Sequence, residues 1–342
     1  MIQYNPAPSI SVVMPVNNGE RYLREALESI LAQSCPFSEF IIINDASTDS
    51  SLDILRSYQG KDYRITIINN QQNLGTGISR NIGVAHARGE FIALMDADDI
   101  STPDRFQKQI VFLEAHPEIW VLGGNNKLID DQGKPLDDFI YPKDANMIRW
   151  NMLLGSGRIV RQGAAMLRRS LFDLVGTYGD VRAAEDFEFW TRLFSYDPLP
   201  IANLDEVIYY YRMHDQMISK SQKSLQESKV MQFRKNKIEA FIGKEISREV
   251  VPAYRHPALH YIDIRPCILT WINVYEKFVS TFHVEPEMQQ EIFTELLNRI
   301  NKYVYFNPLS FHEGQVFIIQ IMFSMPIKYT LHLYRRKMQF FE

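Results

Sequence analysis

Three aspartates fall within four residues at Asp96-Ala97-Asp98-Asp99. Carboxylates this close repel one another unless a cation or hydrogen-bond donors offset the charge. Hard divalent ions such as Mg²⁺ and Mn²⁺ take oxygen ligands, keep one or two carboxylates, and fill the remaining positions with phosphate oxygens and water. Alternate residues leaving a strand would divide that work, Asp96 toward the hydroxyls of a ribose and Asp98 toward the ion. Asp45, in the run Asn44-Asp45-Ala46-Ser47-Thr48-Asp49, is a further carboxylate suited to accept the N–H of a pyrimidine ring. Arg80 is a cation able to neutralise a diphosphate. Two more polar loops, Pro15-Val16-Asn17-Asn18-Gly19-Glu20 and Asn73-Leu74-Gly75-Thr76-Gly77, complete four in succession.

These loops need a scaffold that brings them to one place. Short apolar, β-branched runs at 9–15, 39–43, 64–68 and 90–95 read as strands. Between them, 20–33, 49–58 and 76–87 read as helices; Leu23, Ala26, Leu27, Ile30 and Leu31 form one stripe on the first. A fourth helix, 103–115, has proline in its first turn, where the missing N–H costs nothing. Strand and helix alternating at this spacing implies right-handed crossovers and a mostly parallel central sheet with flanking helices. In such a sheet ligands sit beyond the carboxyl ends of the strands, which is where all four loops fall. Beyond residue 116 the pattern loosens into strands at 120–129, 164–168 and 207–213 and a helix at 185–194. From about residue 219 only helices follow, at 225–242, 269–282, 286–305 and 316 to the end. The division expected is therefore a catalytic α/β domain, 1–219, and a helical region, 220–342.

The ordered series Ser11-Val12-Val13-Met14-Pro15-Val16-Asn17-Asn18-Gly19-Glu20, Asn44 to Asp49, Asn73-Leu74-Gly75, Arg80-Asn81-Ile82-Gly83 and Asp96 to Asp99 resembles the family 2 glycosyltransferases. The likeness continues through Glu185-Asp186 before Phe189-Trp190, and through Tyr211-Arg212-Met213-His214 before Ile218-Ser219. It covers residues 9–219 and implies the GT-A fold and inverting transfer of a sugar from a nucleotide-sugar donor. By that resemblance Pro15, Val16, Asn18, Glu20, Asp45, Asn73, Arg80, Asp96, Ala97 and Asp98 bind the nucleotide sugar. Asp98 and His214 would hold Mn²⁺ or Mg²⁺, and Asp186 would be the base that takes the proton from the acceptor hydroxyl. A UDP-sugar is the expected donor, being the family's common one and suited to Asp45; the expected acceptor is a glycan or a polyprenyl-diphosphate-linked sugar. Asn17 stands where the family commonly has tyrosine, and Asn44 where it often has aspartate.

Two other readings share the architecture. A sugar-phosphate nucleotidyltransferase needs a glycine-rich, basic first loop, whereas Asn17-Asn18-Gly19-Glu20 has one glycine and an acid. A non-catalytic nucleotide-sugar-binding scaffold of a polysaccharide-assembly complex would not need Asp98, Asp186 and His214 together.

Composition narrows the field further. Of 342 residues 46% are apolar and 23% charged, enough for a core. The net charge of −4 divides unevenly: residues 1–219 carry 20 basic against 29 acidic side chains, and 220–342 carry 17 against 12. An acidic front half excludes nucleic acid as the main partner. Cys35 and Cys267 are the only cysteines, which excludes a disulfide framework. No basic, then apolar, amino-terminal signal and no apolar run of membrane-spanning length is visible, so a cytoplasmic protein is expected. The segment from Val316 to Phe341 places Arg335-Arg336-Lys337 beside apolar bulk with Pro326 as a break, the pattern of helices that lie on an anionic membrane face. Packing of these helices on the catalytic domain, with the basic residues solvated, is the expectation there, and peripheral contact with the inner face of the cytoplasmic membrane is the alternative.

Overall fold

The chain begins with buried runs that have helices on either side. The computed structural model describes residues 9–215, 217, 222–246 and 265–305. Strand β1 (Ile10–Val16) and strand β2 (Glu39–Asn44) are buried at every position, as parallel strands covered on both faces must be. Helix α1 (Leu23–Leu31) lies between them in sequence and buries Leu23, Ala26, Leu27 and Ile30, one 3.6-period stripe. Helix α2 (Ser51–Gln59), β3 (Ile65–Asn69), α3 (Thr76–His86) and β4 (Phe91–Leu94) follow. β1 pairs in parallel with β2 and β4, and β2 with β3.

The remainder of the sheet is mixed. Strand β5 (Ile100–Ser101), helix α4 (Arg105–Ala115), β6 (Val121–Ile129), β7 (Pro135–Phe139), helix α5 (Ala145–Leu154), β8 (Met166–Arg168), helices α6 (Leu171–Val175) and α7 (Glu185–Thr191), and β9 (Ile201–Arg212) complete it. The order is β3-β2-β1-β4-β8-β6-β9-β5, with β7 on β6. β8 runs antiparallel to both β4 and β6, and β5 antiparallel to β9, while β6 and β9 are parallel. The parallel expectation thus describes the first four strands; beyond them the short strands β8, β5 and β7 run antiparallel to their neighbours, while the long β6 and β9 are parallel to each other.

A polar clamp holds the join between the two halves. Arg105, fully buried on α4, donates to the carbonyls of Leu94 (2.9 Å) and Ala165 (3.2 Å) and to Gln109 Oε1 (3.0 Å). Gln109 in turn donates to the carbonyls of Leu122 and Ala164. A buried guanidinium is tolerated because its donors meet two backbone carbonyls and an amide oxygen.

The chain divides into two compact units, residues 1–230 and 231–342. Helix α8 (Lys223–Ile242) begins in the first and ends in the second. In the second, helices α9 (Arg265–Thr281) and α10 (Pro286–Tyr305) bury Trp271, Val274, Tyr275 and Phe278 together with Ile292, Phe293, Leu296 and Leu297. Tyr275 donates to the Gln289 carbonyl at 3.2 Å, and its ring lies 5.0 Å from that of Phe293. The carboxy-terminal segment read from Val316 onward lies outside the described residues. No helix among the described residues is long and apolar enough to cross a membrane.

Helix α3 can approach the sheet because residue 83 has no side chain. A Cβ there would fall 2.5 Å from Val13 Cγ1 and 2.7 Å from Ile43 Cδ1, both on buried strands. Overpacking of this kind costs about 1–3 kcal/mol. Gly83→Val is therefore expected to lower the urea midpoint by that equivalent at unchanged m-value; an unaltered midpoint would show that α3 can move away from the sheet.

Candidate active site

The loops beyond β1 and β2 are fastened to each other before any ligand is considered. Asn18 Oδ1 accepts from the Thr48 backbone N–H (2.8 Å), and the Asn18 N–H donates to Ser47 Oγ (3.1 Å). Gly19 N–H reaches Ser51 Oγ, Glu20 N–H reaches Asp49 Oδ2, and Glu20 Oε2 accepts from Ser50 N–H. Burial works against the Asp49 charge, but the bonds from Ser51 and Glu20 hold its carboxyl below the ordinary aspartate value. Asn18 and Glu20 therefore serve the first turn of α2, where four backbone donors need acceptors. Ala97 lies under the same loop, its Cβ 3.7 Å from where a side chain on Gly19 would begin.

Asp45 fastens the next loop. Its Oδ1 accepts from Leu74 N–H (2.9 Å) and Asn70 Nδ2 (2.8 Å), and its Oδ2 from Gly75 N–H (2.9 Å). Asn17 donates to the Asp45 carbonyl at 2.7 Å. The result is one wall of a cleft lined by Pro15, Val16, Asn17, Asp45 and 73–78. The facing wall is 179–183 with Glu185. Arg182 bridges the two walls by donating to the Asn73 carbonyl at 3.1 Å.

At the inner end of this cleft the covered Arg80 ties Glu185 to the part-exposed Asp96. Arg80 is 4% exposed; it donates to Asp96 Oδ1 at 2.6 Å and lies 3.6 Å from Glu185 Oε1. Burial opposes its charge, but Asp96 and Glu185 together raise its pKa above the ordinary arginine value. The Arg80 guanidinium, expected to neutralise a diphosphate, is covered here and paired with two carboxylates. Thr76, one turn earlier on α3, donates to the same Glu185 oxygen at 2.9 Å. Gly77 and Gly163 make the approach possible: a Cβ on the first would stand 3.1 Å from Glu185 Cβ, and on the second 2.5 Å from Asp96 Oδ2.

Asp98 meets His214, Oδ2 to Nε2 at 2.9 Å, and the His214 ring lies 4.9 Å from that of Tyr22. Arg212 places this pair: its Nε donates to the Asp98 carbonyl, its Nη2 to Glu25 Oε2 (2.7 Å), and its backbone N–H to Asp99 Oδ1 (2.8 Å). Asp99 itself is buried, and burial with Asp98 and Asp96 nearby raises its pKa well above the ordinary value. Asp98 and His214 offer one oxygen and one nitrogen, a fitting pair for a borderline divalent ion that draws its other ligands from phosphate and water. No group of three or more His, Cys, Asp or Glu ligands occurs among the described residues.

Asp186 stands at the first turn of α7, half-buried, with Oδ1 accepting from Phe187 N–H at 2.7 Å. Burial and the neighbouring Glu185 charge push its pKa up to about 6, against the opposing pull of Arg80 and Arg161. Arg161 carried no signal in the sequence, yet its guanidinium stacks 3.9 Å from the Tyr211 ring centroid and faces Asp96, Asp99 and Asp186. Tyr141 and Tyr178, both buried, also border Asp186.

Comparison with known proteins agrees with this architecture. Residues 11–176 match the family described as Glycosyl transferase family 2. EpsE of Bacillus subtilis (strain 168), named as a glycosyltransferase, is 34% identical over 216 residues, 61% of this chain and 74% of that protein. The amylovoran biosynthesis glycosyltransferase AmsE of Erwinia amylovora is 28% identical over 222 residues, 61% and 78% of the two chains. The fold is shared with S. aureus TarS solved with UDP-GlcNAc (TM-score 0.55, 20% identity, 83% of each chain). It is shared as well with the mannosyltransferase PcManGT of Pyrobaculum calidifontis solved with GDP-Man and Mn²⁺ (TM-score 0.52, 15% identity, 92% and 89%). With a GT-A sheet, the family match and a relative covered over three-quarters of its length, the chain belongs to glycosyltransferase family 2 and is a transferase.

Proposed function

We propose that the protein is an inverting glycosyltransferase that moves a sugar from a nucleoside-diphosphate donor to a hydroxyl of a glycan or lipid-linked acceptor, with Asp186 as general base. The observation that carries this reading is the environment of Asp186. A carboxyl with a pKa of about 6 is mostly ionised at neutral pH yet basic enough to accept a hydroxyl proton. It adjoins Glu185 on the cleft wall, and the acidic loop 96–99 approaches the same place through Arg80.

The donor's base would occupy the cleft between Pro15–Asn17, Asp45 and 73–75, and its ribose would meet Asp96, whose Oδ1 already has one donor in Arg80. UDP suits a pocket edged by a carboxylate, and structural neighbours solved with UDP or UDP-GlcNAc share the fold. Asp98 and His214 would hold Mn²⁺ or Mg²⁺, and the ion, when bound, offsets the charge that develops on the leaving diphosphate. Relatives such as AmsE carry polysaccharide-biosynthesis names, which supports a glycan acceptor.

Asp186→Asn is expected to reduce turnover by about 10²–10⁴-fold while donor affinity holds. Normal turnover with lost donor binding would assign Asp186 to the donor instead. Because the base must be ionised, kcat/KM should fall on acidification through about pH 6, and a profile flat from pH 5 to 8 contradicts the assignment. The product anomer should be inverted by NMR. Asp98→Asn should abolish Mn²⁺-dependent nucleotide binding while leaving the fold intact; full activity in excess EDTA would remove the metal from the scheme. In thermal-shift assays UDP with Mn²⁺ should stabilise the protein by about 2.7 kcal/mol at 100 times its Kd, ahead of GDP and dTDP.

A further inference from the structure

One buried cation stands between Asp96, beyond the end of β4, and the helix that carries the proposed base. Arg80 and Thr76 are four apart on α3, hence on one face of that helix. Both converge on Glu185 Oε1, at 3.6 and 2.9 Å, while the other Arg80 nitrogen binds Asp96 at 2.6 Å. Glu185 is the immediate neighbour of Asp186. From these distances we propose that Arg80 is a positioning residue of the transfer reaction, balancing Glu185 in setting the charge that Asp186 experiences. The inference rests on the reading of Asp186 as the base and deepens it by assigning what tunes that base.

The physics is a contest of two signs. An ionised Glu185 beside Asp186 disfavours a second negative charge, and a cation held against Glu185 relieves that penalty. Through a covered, low-dielectric path neither effect is screened as it would be at the surface. Each group bordering Asp186 is accounted for. Glu185 lies on its own helix, Arg80 on α3, and Arg161 ahead of the short 162–164 turn. Tyr141 follows β7, and Tyr178 precedes α7. Of these, Glu185 raises the Asp186 pKa, while Arg80 and Arg161 lower it. Arg80 is the cation with an ion pair to Glu185. The lack of a side chain at Gly77 leaves room for Glu185 against the first turn of α3.

The test is the acid limb of the pH–rate profile, followed as UDP released from UDP-N-acetylglucosamine, with GDP-mannose substituted if GDP is the stabilising nucleotide. Glu185→Gln should move the limb to lower pH by roughly 1 unit, and Arg80→Gln should move it to higher pH by a similar amount. The double variant should return it near the wild-type position. Arg80→Lys, which keeps the charge but not the two-pronged geometry, should lose rate with little displacement of the limb. If Arg80→Gln does not fold, Glu185→Gln and Arg80→Lys still decide the matter. Loss of rate at every pH without movement of the limb in Glu185→Gln would reduce the chain to a structural tie and overturn the inference. Asp186→Asn separates the two levels. If it abolishes the limb, the base reading stands whatever Arg80 does; if it leaves the limb unchanged, that reading and the tuning fall together.

Discussion

Six carboxylates converge on one rim of the sheet, and what each can do follows from how its charge is compensated. Asp45 is met by two backbone N–H groups and an amide, so it shapes a loop. Asp96 and Glu185 share one buried guanidinium. Asp98 lies 2.9 Å from His214 Nε2, an oxygen and a nitrogen placed side by side where a divalent ion could take both. Asp99 is buried against a single backbone donor, and its surroundings favour the neutral form. Asp186 combines a carboxyl held by one backbone N–H, partial exposure and a pKa pushed up to about 6. A division of labour among chemically identical groups thus arises from their partners rather than from their type.

The compensation depends on close backbone approach, and this accounts for the glycines. Gly77 lets the first turn of α3 rest on Glu185, and Gly163 lets the 162–164 turn rest on Asp96. A side chain at either would separate the elements whose charges have to balance. Arg212 performs the complementary task from β9, drawing the carbonyl of Asp98 and the carboxylate of Glu25 to one guanidinium. The tyrosine-rich strand is therefore a brace for the acidic loop as much as a member of the sheet.

How much of this was legible in the sequence varies with its physical origin. The first four strands and three intervening helices show local periodicity, and the structure places them within a residue or two of the boundaries expected from it, except that α1 starts at Leu23, three residues later than expected. Helix α5 escaped because residues 148–154 are buried on every side, which leaves no polar face to mark a period. Its Asp144 cap, accepting from Met147 N–H, and its left-handed Gly155 were the readable signals. Strand β7 escaped for the opposite reason, being exposed at four of five positions. Arg80 and Asp96 were legible as candidates, but their bond joins a helix to a strand end 16 residues apart. Arg161 had no legible signal, since its importance comes from Tyr211 and the aspartates that the fold brings to it.

The fastening of the first two loops also divides the molecule into parts with different freedom to change. Asn18, Glu20, Thr48, Asp49 and Ser50 satisfy one another across two crossovers, so altering one leaves donors or acceptors of another unmatched. The facing wall at 179–183 touches its partner through the exposed Arg182 bond to Asn73. Drift in sequence there can reshape the cleft without unsettling the scaffold. A change confined to that wall would therefore alter the shape of the cleft while the opposite wall stays held by its own bonds.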